Sequence, residues 1–223
     1  MKILNVSITV RDLEKAVQFY RDVLLLPVEA TPAGAEVTIG SSRLRLSTGE
    51  SFDGVHHLAF GVPPSEFELA HTWLARRVSL LQADGSEVIL GSKEWKSRSL
   101  YLLGPEGIIL EYIARDADAS TVPGTGESPH MLSISEVGIG VDDVLDTVAT
   151  LSEELAIPTY YDRSSTFTSM GSHDGLLIVV QQERLWFPTK VSKPARGPLT
   201  VQIEPLAGKS RVDLGPNISI VSG

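Results

Sequence analysis

Two adjacent histidines, His56 and His57, open the run GVHHLAFGV at residues 54–62. Imidazole beside carboxylate binds divalent metals and moves protons near neutral pH. Side chains alternate between the two faces of a strand, which separates the pair: His57 goes with Ala59 and Gly61, His56 with Leu58, Phe60 and Val62. The apolar face must cover helices. His57 is therefore expected to project into a cavity, and His56 to sit at a strand edge near solvent. The same parity in GIILEYIA, 107–114, puts Glu111 with Ile109 and Ile113, opposite Leu110 and Tyr112. In SRLRLS, 42–47, Leu44 and Leu46 take the helix side, leaving Arg43, Arg45 and Ser47 toward the cavity. In NVSITV, 5–10, the polar face carries Asn5, Ser7 and Thr9. Arg43 and Arg45 with Ser7 and Thr9 suit an anionic or oxygen-rich small molecule, such as a carboxylate. Trp95 precedes a strand expected to border the mouth of that cavity, a position for a lid or a stacking surface.

These residues need elements to hold them, and the chain supplies a repeating set. Three segments share one pattern: NVSITVRDLEKAVQFYRDVLLLPV from Asn5, HLAFGVPPSEFELAHTWLARRVSLL from His57, and EVGIGVDDVLDTVATLSEELAIPTY from Glu136. Each opens with about six residues that alternate and end in valine, then a capping signal, then roughly three to four helical turns. Asp12 is the expected N-cap of the first helix. Ser65 with Glu68 forms a capping box for the second, and Asp142 or Asp143 serves the third. In the first helix Leu13, Ala16, Val17, Phe19, Tyr20 and Val23 form one stripe. Short β-rich runs follow each helix, with turns GPEG and SHDG before two of the last strands. The fold class is therefore α+β, built from βαβββ modules.

Totals exclude several classes. The net charge of −9 argues against a nucleic-acid partner. No run of about 18 apolar residues predicts a membrane span, and the start MKILNVSITV lacks signal-peptide features. With no cysteine there is no disulfide, thiolate site or cysteine nucleophile. The expected location is the cytoplasm.

The segments ITVRDLEKAVQFYRDVLLLPV, HHLAFGV and SLYLLGPEGIILEY resemble the vicinal oxygen chelate superfamily, which includes glyoxalase I, bleomycin-resistance proteins and extradiol dioxygenases. That resemblance implies a first domain over residues 1–115, in which two modules share one cavity. A Ser-, Pro- and Gly-rich linker at 116–130 would follow, then a third module with C-terminal strands at 131–223. The third module has no evident partner in the sequence. It is expected to pack on the first domain, be completed by the tail, or pair with another subunit as a homodimer.

The resemblance also implies where a metal would bind: at the start of a module's first strand and on its last strand. Those positions hold Asn5 and His57, then Arg45 and Glu111. The third module has Glu136 at the first-strand position and Val179 at the last. His57 and Glu111 suit one divalent ion, Zn²⁺, Fe²⁺, Mn²⁺ or Ni²⁺. Asn5 is a poor imidazole substitute, and a nearby Arg45 opposes a cation. At ~5 Å and an effective dielectric of ~20, two like charges repel by roughly 3 kcal/mol. A metal-free His/Glu/Arg network, with Arg45 on Glu111, is the favoured expectation. The resulting reading is a protein that acts on or binds a small molecule. A metal-dependent lyase or ring-cleaving dioxygenase, and an interaction role for module three, are the alternatives. His71, His130 and His173 are read as solvated or half-buried, and the aromatic run RLWFP, 184–188, as interface packing.

Overall fold

The computed structural model describes residues 1–122, 124, 126–208 and 210–223. Pro123 and Thr125, inside the expected linker, lie outside the described residues. Module one consists of β1 (Ile3–Val10), α1 (Leu13–Gln18) continued by a π-helical turn at Phe19–Val23, β2 (Val28–Thr31), β3 (Gly34–Ile39) and β4 (Ser42–Thr48). Module two runs β5 (His57–Gly61), α2 (Phe67–Ala75), β6 (Leu80–Leu81), β7 (Ile89–Leu90), β8 (Ser97–Leu103) and β9 (Ile109–Arg115). Module three runs β10 (Ser133–Val141), α3 (Val144–Leu155), β11 (Thr159–Arg163), β12 (Phe167–Ser172) and β13 (Gly175–Gln181). The tail adds β14 (Leu199–Ile203), β15 (Arg211–Asp213) and β16 (Ile218–Ser222).

Each module uses one internal topology. Its first strand pairs in parallel with its last: β1 with β4, β5 with β9, β10 with β13. The tail repeats the theme without a helix, β14 lying parallel to β16. The helix between first and second strands makes the parallel crossover possible.

How the modules combine differs from the expectation. Modules one and two do not share a sheet. One sheet has the order β15-β16-β14-β1-β4-β3-β2, so the tail completes module one. The other has the order β11-β12-β13-β10-β5-β9-β8-β6, so module three completes module two. The junctions are antiparallel pairs of first strands, Val6 opposite Val201 and Phe60 opposite Ile134. A single apolar core, including Val6, Ile8, Leu58, Phe60, Val137, Ile139 and Val201, joins the helix-facing sides of both sheets. Ser42 ties them directly: its hydroxyl donates to the Ile3 carbonyl (2.7 Å) and accepts from the Ile134 amide (2.9 Å). Module three thus packs within its own chain, against module two.

Capping follows the sequence in two helices. Asp12 Oδ1 accepts from the Lys15 amide and Asp143 Oδ1 from the Asp146 amide, each at 3.0 Å. The Ser65–Glu68 box does not form. Pro63 and Pro64 set a 3₁₀ turn at Pro64–Glu66, and Glu66 instead accepts from the amides of Gly124 and His130. No helix among the described residues is long and apolar enough to cross a membrane.

Candidate functional site

The junction of β5 and β10 builds the site. Ala59 pairs with Glu111 on one side and with Glu136 on the other. The two carboxylates therefore flank a methyl group across three strands, and the small side chain leaves room between them. His57 lies two residues before Ala59 on the same face. The result is a cluster of His57, Glu111 and Glu136 whose ligand atoms all lie within 4.8 Å of one another, every residue buried.

The tautomer of His57 is set by its backbone neighbour. Nδ1 is 3.3 Å from the Ile109 carbonyl, which only accepts, so Nδ1 carries the proton. Nε2 then presents a lone pair to Glu111 Oε2 at 3.5 Å. Burial holds the imidazole pKa below its ordinary value, against the opposing pull of Glu111 and the Ile109 carbonyl. A lone pair thus faces a carboxylate oxygen, an arrangement that a cation can bridge. Glu136 tells the same story. Burial, then the nearby Glu111 charge, push its carboxyl up to about 8, although Arg115 pulls the other way. Tyr101, in register with Glu111 across β8 and β9, has its phenol raised well above the usual range, first by burial and then by the two carboxylates.

The residues fit a divalent ion. One imidazole nitrogen and two carboxylates suit Fe²⁺, Zn²⁺, Mn²⁺ or Ni²⁺, and three protein ligands leave positions open for substrate. The family-type fourth position falls on Ile178, which pairs with Gly138 as Glu111 pairs with Ala59. It is Ile178, not Val179 as expected, and it supplies no ligand.

Above the cluster lies a cavity of about 240 Å³. Trp95, Tyr101, Phe167, Trp186 and Phe187 wall it, and Ser97 and Ser99 add hydroxyls from β8. The Trp186 ring centroid is 5.1 Å from that of His57, and its Nε1 donates to the Val55 carbonyl at 3.2 Å. Gly138 permits this contact, since a Cβ there would lie 2.6 Å from the indole. Trp95 packs edge-on against Tyr160, centroids 5.9 Å apart. Leu90, Leu185 and Phe187 leave large apolar surface exposed at the mouth.

Several expected positions fall elsewhere. Arg45 does not touch Glu111: it pairs with Glu36 at 2.9 Å in the other sheet, and Arg43 meets the same carboxylate at 3.4 Å. Asn5 is buried there too, its Oδ1 accepting from Ser7 Oγ at 3.4 Å. Thr9 lines a separate cavity of about 180 Å³ together with His56. Of the expected ligand-binding residues, the structure brings only Trp95 into the cavity of His57 and Glu111. The cause is module pairing, which puts β1 and β4 in one sheet and β5 and β9 in the other. The run RLWFP lines the site rather than packing an interface, because the chain after β13 folds back over β10. Tyr101, Ser97 and Ser99 were readable from parity in SRSLYLL; Trp186 was not, since no strand pattern fixes its loop.

His56 also differs from expectation. It is 3% exposed rather than near solvent, its ring packs on Phe52 at 5.2 Å, and its Nε2 has no hydrogen-bond partner. Burial lowers its pKa to about 4. Because the folded value lies below the unfolded 6.5, its contribution to stability is complete above pH 6.5 and is lost as pH falls toward 4. At ~1.4 kcal/mol per pH unit this is about 3 kcal/mol. Chemical denaturation of His56→Phe at pH 7.5 and 4.5 is expected to show a smaller acid loss than the natural chain. Equal losses in both proteins would remove His56 from the account.

No family model and no curated protein matches the chain. Solved structures do. Glyoxalase I from Zea mays superposes with TM-score 0.61 and 14% identity, over 99% of this chain and 92% of that one. A proposed dioxygenase from Bacillus subtilis subsp. subtilis str. 168 gives TM-score 0.59 and 12% identity, over 100% of this chain and 85% of that one. At these identities the likeness establishes the fold: the chain has the glyoxalase/dioxygenase architecture of paired βαβββ modules.

Proposed function

We propose that this chain is a metal-dependent enzyme acting on a small, flat, largely apolar molecule that carries two neighbouring oxygen atoms. The observation that carries the proposal is the lone-pair side of His57 facing Glu111 and Glu136 in a buried cluster at the floor of an aromatic cavity. A divalent ion bound there supplies Lewis-acid stabilisation of an oxyanion. His57, Glu111 and Glu136 would hold it. Tyr101 keeps its proton, by the pKa argument above, and offers that proton as a hydrogen bond beside Glu111. Trp186 and Phe187 orient a flat substrate, and the apolar walls exclude water, which strengthens every polar contact inside. The open ligand positions suit a lyase or a ring-cleaving dioxygenase.

Arg115 on Glu136 favours a second reading, a metal-free binding module. Titration of metal-depleted protein with Fe²⁺, Zn²⁺, Mn²⁺ and Ni²⁺ in turn separates the two. One equivalent of at least one ion is expected, with a rise in melting temperature that chelator reverses. Absence of stoichiometric binding by all four ions would leave the metal-free module.

A further inference from the structure

We propose that Arg115 is a built-in counter-charge that makes this one-histidine, two-carboxylate cluster behave toward a cation like a site with a single carboxylate. The inference rests on the metal-binding reading above. Arg115 ends β9, four residues after Glu111 and on the same face. It is 1% exposed. Nη1 donates to Ser135 Oγ and Nη2 to Glu136 Oε1, while Nε has no partner among the described residues. A buried guanidinium cannot shed its proton, so its charge is a fixed feature of the site.

With an ion bound, Glu111 and Glu136 would both be deprotonated and bring two negative charges, His57 none, and Arg115 returns one positive charge. The cluster thus sums to −1, the charge of a two-histidine, one-carboxylate facial triad. A bound dication keeps a net positive charge, which a substrate oxyanion needs. Without Arg115 the two carboxylates would cancel it. The arrangement trades affinity for Lewis acidity: the guanidinium both repels the ion and competes with it for Glu136.

Arg115→Gln keeps a hydrogen-bond donor for Glu136 but removes the charge. Calorimetric titration with Zn²⁺ or Mn²⁺ is expected to show at least tenfold tighter binding than the natural chain. Arg115→Lys, which retains the charge, is expected to return to within about threefold of it. Co²⁺ absorption spectra of the same proteins report whether the ligand set is retained. If Arg115 only positions Glu136, Arg115→Gln binds equally or more weakly, and the counter-charge role is overturned while the metal site stands. If neither the natural chain nor Arg115→Gln binds any ion, the metal reading falls and this inference with it. Should Arg115→Gln fold poorly, Arg115→Met, which fills the same volume without charge, gives the same readout.

Discussion

His57→Ala is expected to weaken divalent-ion binding by at least ~100-fold and to abolish the ion-dependent rise in melting temperature. Outer-shell substitutions alone typically cost 10–100-fold in metal affinity. In the proposed site His57 would bind the ion directly, and it is the only nitrogen donor of the cluster. Its loss also leaves Glu111 and Glu136 facing each other across Ala59 without an imidazole between them. The fold has reason to survive, because Leu58 and Phe60 on the opposite face of β5 supply its part of the main apolar core, and the β5 backbone ladder is unchanged. Isothermal titration of the natural and variant proteins, with circular dichroism to check folding, measures the effect. Unaltered affinity in a folded His57→Ala protein would falsify the ligand assignment. Glu111→Gln provides a second reading that preserves side-chain volume.

A fragment of residues 1–115 is expected to show no cooperative unfolding transition. In the whole chain β1 pairs with β14, and β5 with β10. The fragment loses both partners at once. Two first strands become edges, and the core loses Val137, Ile139, Leu199, Val201 and Ile203. Each such side chain contributes about 1.5–3 kcal/mol when buried, and the whole stability of a domain is only about 5–15 kcal/mol. Unpaired hydrophobic edge strands also promote aggregation. Thermal and urea denaturation of the purified fragment test this. A soluble fragment with a sharp transition would mean that β1 and β5 pair with each other when nothing else is present, as two modules around one cavity.

Much of this architecture was legible in the residues. Alternation in HLAFG and IILEYIA placed His57 and Glu111 on one face, because side-chain parity is a local property of any strand. Glu136 was legible as the third module's counterpart of His57. What stayed hidden was that it belongs to the same site. Arg45 illustrates the other side of this gap: its parity toward a polar face was correct, yet its partner is Glu36 on the adjacent strand. A guanidinium does stand beside the cluster, but it comes from Arg115, which shares the Glu111 face and was one parity step beyond Ile113.

The sequence by itself determined the βαβββ unit, its repetition, a cap at Asp12 and another at Asp142 or Asp143, and which side of each strand carries chemistry. All of these depend on neighbours a few residues apart. Only the tertiary structure decided which first strands join. The edges of β1, β5, β10 and β14 all present the same backbone hydrogen-bonding groups, and alternation gives none of them a preferred partner. That choice is made by packing across the shared core. It separates Asn5 from His57, brings Glu136 to Glu111, and so sets a third candidate ligand beside the two the sequence offered.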